Sequence, residues 1–133
     1  ALFDYLKAGH YKSFPSQETA SHPGRGPHTK VTAPVRVFYN DSLSKSLAAG
    51  ATEHSVGAVA IKEMMTGAGE VNGWAVMAKT AASSNDGRGW FWYEVTSATD
   101  SSAIAAIGNG VPGCVSCHEF GGDDLVLSGF PLR

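Results

Sequence analysis

Cys114, Cys117 and His118 form a C-x-x-C-H run close to the C-terminus, and their types and spacing imply chemistry more directly than any other residues of the sequence. The chain holds two cysteines in all. A disulfide between residues so close would close a minimal loop and restrict the unfolded chain little, so a structural bridge accounts poorly for the pair. Three readings remain: a redox dithiol, half of a zinc site, or the attachment sequence of a c-type haem, whose porphyrin vinyl groups bond both thiols and whose iron takes the histidine. A closed zinc site requires four ligands. A second cysteine pair does not exist, and His10, His22, His28 and His54 are not spaced as a pair on one helical turn. Thioredoxin-like dithiols sit early, after a first strand. The histidine in fifth position favours haem, with His118 as axial iron ligand and its Nδ1 donating to a carbonyl or carboxylate. Such attachment takes place outside the bacterial cytoplasm. A periplasmic chain, exported and with its signal peptide removed, is therefore expected.

Lys62 is the next residue of interest. The period of two along a strand puts Val56, Ala58, Ala60, Lys62 and Met64 on one face, so a lysine interrupts a small and apolar row. It either snorkels to the sheet edge or serves, with a lowered pKa, as a nucleophile. The small neighbours would let a flat cofactor lie close. Met64, Met65 and Met77 could ligate iron, but strand methionines pack readily into cores, so an open sixth position is expected.

Composition narrows the partners. The 133 residues are 43% hydrophobic and 17% charged, with ten Lys plus Arg against twelve Asp plus Glu. This suits a single domain over 1–133. A net charge of -2 supplies no basic field for nucleic acid or an anionic membrane surface. No apolar run approaches the ~20 residues of a membrane-spanning helix.

The elements that must position these residues follow from patterning. Residues 1–14 read as a helix turning into an extended arm, and 15–34, with SHPGRGPH at its centre, as a loop. VRVFYN at 35–40 alternates as a strand; Asp41 is expected to cap a short helix that stops at Gly50. Strands are expected at 56–65, 73–80 and 89–96, joined by short connections and hence antiparallel. Ile104 and Ile107 within 100–108 suggest a short helix before the cysteines, and 124–130 a last strand. The fold class is thus mainly β (α+β), an antiparallel sheet with a few short helices enclosing a c-type haem near the C-terminus. Helical electron-transfer cytochromes carry the motif early and need a later distal Met, yet the fifteen residues after His118 contain none.

VRVFYND, VGAVAIKEMM, NGWAVMAKT, GWFWYEV and CVSCHEFGGDDLVLSGFPLR, in that order, resemble the cytochrome P-460 family and the related cytochromes c'-beta. The likeness runs from about residue 35 to the C-terminus. It implies a mainly antiparallel β homodimer with pentacoordinate haem c and a periplasmic electron acceptor. It also implies, for the enzymes, an added bond from a strand lysine, here Lys62, to a haem meso carbon. Such enzymes oxidise hydroxylamine, with or without nitric oxide, and use a distal carboxylate as proton acceptor. This chain departs from that pattern: AASSND follows NGWAVMAKT, and Asp86, in a turn signal, is the nearest acid. The cytochromes c'-beta lack the cross-link, cap the iron with aromatic side chains and bind nitric oxide without turnover. Phe38, Trp74, Phe91 or Phe14 could form such a cap here, and Arg36 could donate to a distal ligand. His28, Lys30 and Lys79 are nominal partners for haem propionates.

Overall fold

Alternating apolar residues along successive segments need one buried face each, and an antiparallel sheet supplies it. The computed structural model describes residues 1–24, 34–121 and 123–133. Its strands are β1 (Ser16–Gln17), β2 (His22–Pro23), β3 (Pro34–Tyr39), β4 (Val59–Met65), β5 (Val71–Lys79), β6 (Trp90–Val95) and β7 (Ile104–Asn109). The order is β1-β3-β4-β5-β6-β7, with β2 also paired to β3, and every pairing is antiparallel. The mainly β, α+β class expected from the pattern is the class observed. Among the described residues three short helices accompany the sheet: α1 (Leu2–Ala8), α2 (Asp41–Ala48) and α3 (Pro112–His118).

The register assigns each side chain a face. Val37, Lys62, Ala75 and Glu94 are paired in turn across β3 to β6, and Tyr39, Ala60, Met77 and Trp92 form the row beside them. This face buries Leu43 of α2 and Cys114 of α3. The other face carries Phe38, Ile61, Val76 and Tyr93 as one row and Arg36, Glu63, Trp74 and Val95 as the next. Leu6 of α1 and Tyr11 of the 3-10 turn His10–Ser13 pack against it. Each large side chain so buried contributes roughly 1.5–3 kcal/mol. Two cores therefore share one sheet.

Local chemistry sets the element ends. Asn40, not Asp41, caps α2: its Oδ1 accepts the N–H of Leu43 at 3.0 Å and that of Val59 at 3.0 Å, while Nδ2 donates to the Gly57 carbonyl at 2.8 Å. One side chain thus ends β3, starts α2 and aligns β4. The strand expected from residue 56 begins only at Val59, because Gly57 turns the chain at φ 93° and leaves Val56 57% exposed. The expected extended arm after α1 is the 3-10 turn through Ser13 instead. Within 15–34, β1 and β2 latch onto β3; His28 and Lys30 lie outside the described residues.

Two expectations fail at the C-terminal end. The helix expected at 100–108 is strand β7, since β6 needs a partner and pairing outweighs a weak helical period. A bulge opposite Glu94 and Val95 explains the misreading: the extra residue in β7, Ala105, puts Ile104 opposite Val95 and Ile107 opposite Tyr93, so isoleucines three apart share a face. The strand expected at 124–130 is a 3-10 turn, Asp123–Leu125, followed by irregular chain. Asp124 and Leu125 have φ of 51° and 68°, which no strand allows. Among the described residues no helix is long and apolar enough to cross a membrane.

Candidate functional site

A cavity opens between the Lys62 face of the sheet, α3 and the segment after it. Counted out to its mouth, with the solvent-open part included, it spans about 750 Å³. Its walls include Lys62, Glu94, Cys114, Cys117 and His118, drawn from β4, β6 and α3. Ala60 and Ala75 make part of the lining low, and Val126, Leu127 and Ser128 close one side.

The helix that carries the cysteines is placed by a turn on the sheet. Pro112 opens α3 with its fixed φ at a position whose N–H has no intrahelical partner. Val115 then sits against Gly87, where an added Cβ would come within 2.3 Å of Val115 Cγ2 and φ is 87°. Only glycine lets α3 approach so closely there. Cys114 is buried, which pushes its thiol pKa up, an effect that Glu94 reinforces and Lys62 opposes. Cys117 is half-buried beside the cavity.

His118 ends α3 with its ring orientation fixed. Its Nδ1 lies 2.8 Å from the Leu125 carbonyl, and a carbonyl only accepts, so Nδ1 carries a proton and Nε2 is the nitrogen that a metal would take from the neutral ring. Trp92 meets the ring edge-on at a centroid distance of 4.8 Å. Such a second partner on a histidine selects the metal-binding tautomer and raises ligand basicity. Two thiols and a histidine presenting Nε2, on one helical turn beside a cleft with a low apolar lining, fit a covalently held haem. Among the described residues no cluster of three or more His, Cys, Asp or Glu could hold a bare metal ion.

Lys62 does reach the cavity. Burial lowers its pKa below the usual lysine value, the Glu94 carboxylate being the largest opposing influence and the two cysteines the next. The neutral amine, the nucleophilic form, is thus favoured relative to a surface lysine. Glu94, one strand beyond Ala75 in the same row, is 8% exposed. It is the acid that sequence reasoning did not single out, although its parity within WFWYEV, shared with Trp92, was the available signal.

The other candidates lie elsewhere. Phe38 and Trp74 are buried on the far face, Trp74 donating its Nε1–H to the Tyr11 hydroxyl at 2.9 Å, and Phe14 and Phe91 pack against the same core. Arg36 crosses Phe38 at 4.9 Å and donates to the Glu18 carbonyl at 2.6 Å and to Gln17 Oε1 at 2.9 Å, tying β1 to β3. Asp86 is exposed in the turn before Gly87. None of these five lines the cavity with the cysteines, nor does Asp86. Of the methionines, Met77 lines it and Met64 and Met65 do not. Lys79 is buried against Asp124. No family model and no curated protein matches this chain.

Proposed function

We propose that this chain is a periplasmic c-type haem protein of the cytochrome P-460 kind that oxidises hydroxylamine, alone or with nitric oxide. Cys114 and Cys117 are the thioether anchors, His118 the axial ligand and Lys62 the residue that bonds the macrocycle. The observation that carries the reading is the convergence of these four residues, with Glu94, on one cavity. When bound, the haem supplies an iron that takes the nitrogen substrate and passes its electrons on to a periplasmic acceptor. As in the family resembled, the functional unit is a homodimer.

The chain's own residues do the rest. His118, held as the Nδ1–H tautomer, offers Nε2 to the iron. Lys62 is disposed toward the neutral amine by burial, the form that could displace a meso hydrogen, a step that would release two protons and two electrons to an oxidant such as a peroxide. Glu94 accepts the protons that hydroxylamine must shed as it loses electrons, a role that Asp86, exposed in its turn and outside the cavity lining, does not fill. The aromatic residues suited to capping a gas-binding iron, Phe38, Trp74, Phe91 and Phe14, pack in the opposite core. Tyr39, Trp92 and Tyr93 do line the cavity, so nitric oxide binding without turnover is the second reading.

The test is to incubate the ferric protein with hydroxylamine and an artificial oxidant and to follow nitrogen products. Nitrous oxide or nitric oxide formed in step with oxidant consumption is expected. Haem-loaded protein that yields neither, while still binding nitric oxide, would overturn the enzymatic reading.

A further inference from the structure

We infer that Asp124 is the positioning residue for His118, an assignment that rests on His118 being the haem ligand. Asp124 lies outside the cavity, and its side chain is 1% exposed. It receives donors from three separate segments. The Lys79 ammonium pairs with Oδ2 and is itself fully buried; the His54 backbone N–H reaches Oδ2 at 2.7 Å; the Trp90 indole N–H reaches Oδ1 at 2.9 Å. The end of β5, the start of β6 and the loop before β4 thus converge on one carboxylate.

The carboxylate holds a strained piece of backbone. Asp124 and Leu125 both adopt left-handed φ, at 51° and 68°, and neither is glycine. Successive non-glycine residues in that region persist only where surrounding contacts over-determine them. Asp124 provides those contacts. The result of the bend is that the Leu125 carbonyl turns back to His118 and accepts its Nδ1–H at 2.8 Å. A buried ion pair is a weak source of stability compared with apolar packing of the same volume, so its geometry is the more informative property. Here that geometry runs from the sheet, through Asp124, to the atom that fixes the tautomer of the ligand.

The readout is the iron–His118 stretching band of the ferrous protein in resonance Raman spectra, which reports the bond at Nδ1 and not stability. In Asp124→Ala the band is expected to shift to lower frequency, with thioether attachment retained. Where Asp124→Ala does not fold, the double substitution Lys79→Met with Asp124→Leu leaves no charge stranded in the core and is read in the same way, with the same shift expected. A folded variant whose band coincides with the parent's overturns the assignment. If the parent protein takes up no haem, the haem reading fails separately. The 15N-labelled chain then still tests Asp124, through loss of the His118 Nδ1–H imidazole signature in the variant or, against the assignment, its retention.

Discussion

Glu94 and Asp124 are carboxylates on the same side of one sheet, and their surroundings give them different work. Glu94 faces the cavity in the same row as Lys62, and in the proposed function it is the group that receives the substrate's protons. Its replacement in Glu94→Gln is expected to lower hydroxylamine turnover by about 10²–10⁴-fold, the usual worth of a general base, while haem attachment persists. Asp124 faces Lys79, His54 and Trp90. Burial alone would raise its pKa, but the bonds donated by Lys79, the His54 N–H and Trp90 prevail and hold it below the ordinary 3.8. A carboxyl whose folded pKa is depressed stabilises the native state fully above its unfolded value and loses that contribution as pH falls through the folded one. Asp124→Asn, which leaves Lys79 charged and alone, should therefore cost about 3–5 kcal/mol at neutral pH. Denaturant titrations should find that gap narrowing as pH falls below 3.8. At this scale the C-x-x-C-H run and the parity of Lys62 were legible in the sequence, because both are local. The partners of Asp124 were not: Lys79 is 45 positions away and Trp90 34.

The elements divide in the same way. The strands of the central sheet could be read from alternation because each buries a regular face, and their bounds moved by one to three residues, as where Gly57 turns the chain before β4 and Asn40 ends β3. Strand β7 could not, since its isoleucines carry a helical spacing that an extra residue in β7, Ala105, opposite Glu94 and Val95 converts to a single face. The turn at Asp123–Leu125 could not, since its backbone is set by contacts distant in sequence. Placement of α3 depends on the bare Cα of Gly87 beneath Val115. Gly87→Ala both strains a φ of 87° and drives a methyl group into Val115, and it is expected to displace the helix that carries Cys114 and Cys117. Intact-mass measurement should then find a reduced fraction of chains carrying haem.

Across the whole molecule, one sheet separates a core built for stability from a core built around the cavity. The far side unites α1, the His10–Ser13 turn and Phe38 with a buried Tyr11–Glu63 hydrogen bond of 2.5 Å. Phe38, completely buried there, is a packing residue, and Phe38→Ala should cost about 3–5 kcal/mol while leaving the visible spectrum of the folded protein unchanged. Aromatic content alone could not assign Phe38 or Trp74 to a side, because the same residues serve either core. Register decides it, and register places Lys62 with the cysteines. The central claim is that this lysine bonds a haem held by Cys114, Cys117 and His118, and the absorption spectrum of the ferrous protein beside that of Lys62→Ala tests it most directly. A strongly red-shifted Soret band that returns to the ordinary c-type position in Lys62→Ala is the predicted result. Identical Soret positions in the two proteins, or no haem absorption in either, would contradict it.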